Sequence, residues 1–319
     1  MASKDSRDCL IVVLDLDPVA WQEVAGDPTD PLTLEAALEA VLVFCNGHLA
    51  MRDENEVVVL GATATESEFL YSSAMTIATS SASASSPSKG KQRAERSDQT
   101  DLLLYEPFRV LNHAVSAGVR ELMSNVAPAG DPAIGLVSAL AKAMCHIHRV
   151  TRAEDASRSA KVPRRSRILV LSLTPDSASA YIALMNVIFS AQKATVPIDV
   201  CKLSGAESED IVLQQAASLT NGVYLAPERR SGLLQHLFMA FAPGVQQRHS
   251  ITQPKQERVD LRAACFCHRK IVEIGYVCSV CLSIFCAPTP ICSTCKTRFN
   301  LATYRRLQSQ VLKPKTPAP

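Results

Sequence analysis

Seven of the eleven cysteines in this 319-residue chain lie between Cys265 and Cys295, in the stretch CFCHRKIVEIGYVCSVCLSIFCAPTPICSTC. Within it, Cys278-x-x-Cys281 and Cys292-x-x-Cys295 are paired hooks separated by ten residues. A C-x-x-C turn brings two thiolates onto one side of a tight knuckle, and two knuckles complete the tetrahedron that zinc prefers, at about 2.3 Å per Zn–S bond. Four thiolates leave no open coordination position, so an ion held by Cys278, Cys281, Cys292 and Cys295 is expected to be structural. Cys265, Cys267, His268 and Cys286 remain in the same stretch and offer a second zinc site in interleaved order, as in RING-like modules. A redox C-x-x-C would sit on a thioredoxin-like helix, and a disulfide-stapled domain would need an oxidising compartment.

The rest of the chain is poorer in chemistry. The first strand-like run ends in Asp15 and Asp17, and with Asp176 these carboxylates offer oxygen ligands to a hard divalent cation. The plainer expectation is that they cap loops and helix starts at the edge of a sheet. GDPAIGLV, residues 130–137, spaces two glycines like a P-loop, but Leu136 stands where lysine must reach the phosphates. His146 and His148 lie two apart on a helical pattern and point to different faces, which suits surface or packing roles. KVPRRSR, residues 161–167, reads as a nuclear-import patch or as a solvated loop. No G-x-G-x-x-G follows a strand, and no G-x-S-x-G elbow occurs.

The elements that must position these groups alternate along the chain. Aliphatic and β-branched runs at 8–17, 55–62, 167–173, 196–203 and 222–226 read as buried strands, with a short one at 68–71. Helical spacing marks 32–51, with Thr33 as N-cap, and then 102–125, 133–150, 178–194, 207–220 and 231–242. Residues after Pro18 read as a Pro/Gly/Asp loop, residues 151–167 as a charged loop, and the Ser/Ala and charged tract at 80–100 as a disordered insertion. Strands alternating with helices predict an α/β fold, a doubly wound and mostly parallel sheet covered on both faces. The expected organisation is an α/β domain over 1–242, a linker over 243–258, a zinc finger module over 259–300 and a basic tail over 301–319.

Apolar residues make up 47% of the chain and charged ones 20%, an ordinary globular balance, and the formal net charge of +2 implies no global electrostatic partner. The charge is uneven. From Val259 to Lys313, eight basic residues face Asp260 and Glu273, a local net of +6 that leaves −4 for the remainder. Such a module suits nucleic-acid phosphates or an acidic partner protein equally. MASKDSRD lacks the apolar stretch of a secretory signal, and no run of about 18 apolar residues is expected to span a bilayer, so a reducing compartment and no membrane partner are expected.

The acidic end of the first strand followed by a helix is similar to the von Willebrand factor A fold. In that fold a D-x-S-x-S strand end holds metal; here Asp17 and Val19 stand at the serine positions. Joined to RAACFCH, GYVCSVCLSIFC and PICSTC, the chain resembles the smaller von Willebrand A-type subunits of the general transcription factor TFIIH core. The resemblance implies a non-catalytic nuclear subunit serving RNA polymerase II initiation and nucleotide excision repair. It implies zinc at Cys278, Cys281, Cys292 and Cys295, and other TFIIH core subunits as partners, chiefly the larger von Willebrand A-type zinc-bearing subunit, with any DNA contact indirect. Two alternatives stand beside it: a RING-like ubiquitin-ligase component, and a zinc module that binds DNA directly.

Overall fold

Strand β1 (Arg7–Asp15) is buried from Cys9 to Asp15 without alternation, the pattern of a strand covered on both faces. In the computed structural model it is joined by β2 (Glu56–Ala62), β3 (Ser67–Ser72), β4 (Arg164–Ser172), β5 (Ile198–Lys202) and β6 (Tyr224–Leu225) in the order β3-β2-β1-β4-β5-β6. Every pair is parallel except β2 with β3. The order runs outward in opposite directions from β1 and β4, so the switch point of the sheet lies between them. The structure describes residues 7–73, 105–125, 132–157, 164–175, 180–204, 211–244, 247–252 and most of 259–306; the tract at 80–100 lies outside them.

Two apolar layers hold helices to the sheet. Leu10, Val12 and Leu14 face α1 (Pro18–Ala25), α2 (Leu34–Met51) and α3 (Glu106–Ser124), packing with Trp21, Phe44 and Val115. Cys9, Ile11 and Val13 face α4 (Pro132–Ser157), α5 (Tyr181–Lys193) and α6 (Ile211–Leu219), packing with Leu140, Ile188 and Ala216. The period of two along β1 thus feeds two separate cores. Contrary to expectation, α2 is by length and composition apolar enough to cross a membrane. Ala37, Val41, Phe44 and Cys45 lie buried in the first layer, which accounts for that composition as a core helix's.

Three expectations give way to local chemistry. The loop after Pro18 is the helix α1: Asp17 accepts from the Ala20 amide at 3.2 Å, Pro18 opens the first turn, and Trp21 and Val24 face the core. Of the charged loop expected at 151–167, residues 151–157 are the last turns of α4 and residues 164–167 the start of β4, where Glu154 on the helix accepts from Arg164 at 2.9 Å. The final apolar helix is broken into a 3-10 turn (Arg230–Gly232), α7 (Leu233–His236) and a π turn (Leu237–Phe241).

The basic run 161–167 is neither a free patch nor a solvated loop where it is described. Arg164 pairs with Glu56 at 2.6 and 2.7 Å as well as with Glu154. Arg167 is 2% exposed and donates to the carbonyls of Phe241, Ala242 and Pro243, the bare carboxyl end of the last helix. Beside it, fully buried Asp199 accepts from Arg248 through both carboxylate oxygens, at 2.7 and 2.5 Å, and from the Val223 amide at 2.9 Å. Arg248 belongs to the short turn Gln247–His249, so the polar segment after Pro243 is fastened to the start of β5.

Asp199→Ala is expected to lower stability by about 3–5 kcal/mol, since it strands a guanidinium in the interior. Arg7→Ala, which removes the half-exposed pair with Glu54, should cost about 1 kcal/mol or less; urea unfolding of both variants checks the contrast. His48, whose Nε2 lies 3.4 Å from the Asp8 carbonyl, is held down to about 4 by burial and by the Arg167 charge. The unfolded chain then binds more protons below its ordinary value near 6.5. Stability is therefore lost as pH falls from about 6.5 to about 4, on the order of 3 kcal/mol from this group. The difference between wild type and His48→Gln in unfolding midpoint, followed across that window, measures it.

Candidate metal centre

At the switch point, where open α/β sheets take ligands, the polar groups are already satisfied by one another. Asp15 is 3% exposed and its carboxylate accepts from the amides of Asp17 at 3.3 Å, Leu173 at 3.0 Å and Thr174 at 2.9 Å, and from the Thr174 hydroxyl. Lys202, at the end of β5 and 1% exposed, donates its ammonium to Ser172 Oγ at 3.3 Å and to the Thr174 carbonyl. The chain thus fills this edge with a side chain of its own. Asp17 caps α1, and burial pushes its carboxyl above the usual range. The carboxylates have capping roles at the carboxyl edge of central strands; Asp176 lies outside the described residues.

Other sequence candidates resolve into packing. His146 is buried with Nδ1 3.2 Å from Arg149 and its ring beside Phe69, while His148 is exposed. Gly135 in the P-loop-like run lets α4 approach the turn after β2: a Cβ there would meet the Thr63 carbonyl oxygen at 1.7 Å. Leu136 is buried in the second core layer.

The cysteine-rich stretch brings its eight candidate ligands into two groups. The ligand atoms of Cys278, Cys281, Cys292 and Cys295 all lie within 4.8 Å of one another, as do those of Cys265, Cys267, His268 and Cys286. Each group could hold a metal ion. A two-stranded hairpin, β7 (Tyr276–Val277) with β8 (Ile284–Phe285), feeds both: Cys278 follows β7 into the first group and Cys286 follows β8 into the second. In the first group Cys278 Sγ is 3.7 Å from Cys295 Sγ, and Cys281 Sγ is 3.6 Å from Cys292 Sγ. In the second, Cys286 Sγ lies 3.4 Å from Cys267 Sγ and 3.2 Å from His268 Nδ1. Cys278 and Cys292 are buried with Phe285, whereas Cys267 and His268 are exposed.

Two further residues belong to the first group and escape a search for metal ligands. The Ser283 hydroxyl lies 3.1 Å from Cys281 Sγ, and the Thr297 hydroxyl 3.1 Å from Cys295 Sγ. The Cys278 amide donates to the Ser283 carbonyl and the Cys292 amide to the Thr297 carbonyl, both at 2.9 Å. CSVCLS and CSTCKT are therefore one knuckle used twice, and the repeat C-S-x-C-x-Ser/Thr is the signal that marks the hydroxyls. Lys296 takes a left-handed φ of 60° in the second copy. Hydrogen bonds from Ser283 hold the Cys281 thiol down to about 6, and those from Thr297 lower that of Cys295. Such hydrogen bonds orient a thiolate and favour its charged form. In the second group the Cys267 thiol beside it pushes Cys286 up to about 11.

With this geometry in view, comparison with known proteins is informative. The family model described as "Transcription factor Tfb4" matches residues 7–296. The "General transcription and DNA repair factor IIH subunit tfb4" of Schizosaccharomyces pombe is 36% identical over 300 residues, spanning 94% of this chain and 91% of the relative. The "General transcription and DNA repair factor IIH subunit TFB4" of Arabidopsis thaliana is 34% identical over 303 residues, spanning 94% and 92%. Among solved structures, the "Crystal Structure of the TFIIH p34 N-terminal Domain" is 25% identical with a TM-score of 0.56, over 73% of this chain and 97% of that one. A match that runs from the first strand of the sheet to the last cysteine leaves one conclusion: the chain belongs to the Tfb4 family of transcription factors.

Proposed function

We propose that this chain is a non-catalytic subunit of the TFIIH core, acting in the nucleus in RNA polymerase II initiation and nucleotide excision repair by holding other subunits. The observation that carries this reading is similarity along nearly the whole chain to relatives named as factor IIH subunits. The internal closure of Asp15 and Lys202 at the switch point supports it, because the edge where α/β enzymes place substrate is filled by the chain's own groups. In this reading the α/β domain, residues 1–242, docks the zinc-bearing region of the larger von Willebrand A-type subunit. A linker over 243–258 leads to the finger module over 259–300 and the basic tail over 301–319.

Zinc is the metal that best suits both ligand groups. Sulphur atoms about 2.3 Å from a tetrahedral ion stand roughly 3.8 Å apart, and two separations in the first group are 3.7 and 3.6 Å. Cys278, Cys281, Cys292 and Cys295 are soft ligands that select zinc over hard cations; Cys265, Cys267, His268 and Cys286 make a three-sulphur, one-imidazole set. Bound zinc supplies a cross-link. The chain's own part is to aim the sulphurs, through the repeated amide-to-carbonyl bond and the Ser283 and Thr297 hydroxyls. Because so short a module buries few side chains, metal affinity becomes folding free energy.

Two ions per chain are expected by metal analysis of the purified protein. Cys281→Ser should lower the count by one and unfold the finger while the α/β domain keeps its cooperative transition; an unchanged count would remove the first site. Cys267→Ser should lower the count by one and leave the first site loaded. For the assembly role, tagged chain expressed in its own cells should bring down other TFIIH core subunits, identified by mass spectrometry. Recovery of the chain alone would sink the proposed function.

A further inference from the structure

The cysteine-rich module spends its aromatic residues in an unusual way. Among the described ones, only Phe285 is fully buried, in a small cluster with Cys278 and Cys292. Tyr276, Phe299 and Tyr304 join it instead around an open groove of about 240 Å³, closed on one side by Val277 and Pro288. That volume is below the roughly 300–1,000 Å³ of small-molecule sites and fits one or two side chains. Flanking the groove along the chain, Ile274, Val277 and Val280 are 62, 58 and 64% exposed. A module held by metal has no folding need to line up aliphatic side chains in water, and clustered exposed apolar surface marks contact sites.

The exposed charged residues next in sequence to the groove's lining are basic. Arg298 precedes Phe299 and Arg305 follows Tyr304, and both are exposed, as is Lys296. Among the described residues from 259 to 306, Glu273 is the one acidic side chain.

We propose that this groove is a docking site for an acidic segment of a partner protein, which seats an aromatic or leucine side chain between the tyrosines and phenylalanines while its carboxylates meet Arg298 and Arg305. The inference rests on the reading of the chain as an assembly subunit and names the chemistry of one partner. Anchor residues in an apolar pocket supply affinity, and a ring of opposite charge supplies encounter rate and register. Aromatic side chains among basic ones also suit single-stranded nucleic acid. Here, however, Ile274, Val277, Val280 and Pro288 offer no plane for a base to stack on and nothing to a phosphate, whereas they extend the apolar surface that a peptide side chain covers.

The test uses the full zinc-loaded chain and fluorescence anisotropy, so it is independent of co-purification with other subunits. The probes are a short fluorescein-labelled peptide with one Phe and one Leu set among Asp and Glu, the same peptide with Ser at those two positions, and an oligo-dT of equal length. The acidic apolar peptide is expected to bind, and the Ser version to lose binding. Val277→Glu should weaken binding about tenfold, equivalent to about 1.4 kcal/mol, with zinc content and melting temperature unchanged. If that variant loses zinc, Tyr304→Ala, on the groove's lining and outside the cysteine knuckles, gives the same reading. The double variant Arg298→Ala/Arg305→Ala should weaken binding by about fivefold at low salt, a difference that shrinks as salt is raised. No binding of the acidic peptide up to millimolar concentration, equal binding of the Ser version, or tighter binding of oligo-dT that the same valine variant abolishes would each overturn the proposal, the last in favour of nucleic acid.

Discussion

The α/β domain depends on the burial of β1 on both faces and both edges. A strand so enclosed can accept polar residues only at its ends, since each unpaired buried polar group costs about 1–3 kcal/mol. Both ends of the central strands accordingly carry closed polar networks. At the carboxyl end Asp15 gathers amides from the loop after β4, with Lys202 beside it. Around the amino end, Asp199 holds Arg248, Arg167 caps the carbonyls that end the last helix, and Arg164 joins Glu56 to Glu154. The two apolar layers lie between these networks, whose buried charged groups are held by partners at the strand ends.

The cysteine-rich module solves a different problem. Among the described residues its one fully buried aromatic is Phe285, packed with Cys278 and Cys292, so the ligand group sits where a core would be. The hairpin of β7 and β8 sends Cys278 and Cys286 to different groups, which ties the two groups into a single unit through the seven residues between those cysteines. Repeating one knuckle sequence, C-S-x-C-x-Ser/Thr, gives each half of the first site the same backbone closure and the same hydroxyl on its second sulphur. The module therefore needs little from its remaining side chains, and its apolar ones are free to face outward.

How much of this was legible in the sequence follows from which forces are local. The buried strands, the helix capped by Thr33 and the two cysteine hooks depend on spacing alone, and they stand where spacing put them. Helix α1 was missed because Pro and Gly on either side outweighed Asp17, although Asp-Pro followed by Trp21 and Val24 is an N-terminal helix pattern. The end of α4 was missed because its charged residues looked solvated, whereas Glu154 is held by Arg164 from the strand that follows. Arg167 and Lys202 were invisible for the same reason. A buried cation can be recognised only from its partners, and these lie on elements distant in the chain. The Ser283 and Thr297 hydroxyls were legible in principle, as a repeat.

The placement of unsatisfied surface separates the two halves of the molecule. In the α/β domain the edge where open sheets of this kind take ligands carries an aspartate and a lysine whose partners belong to the same chain. In the module the internal demand is met by sulphur ligands, and what remains outside is an apolar groove with basic residues beside it. Satisfied polar groups resist change, whereas exposed aliphatic groups gain by being covered. The chain thus keeps its polar groups paired at one edge and leaves aliphatic side chains exposed on the module, and it is the second surface that gains by being covered.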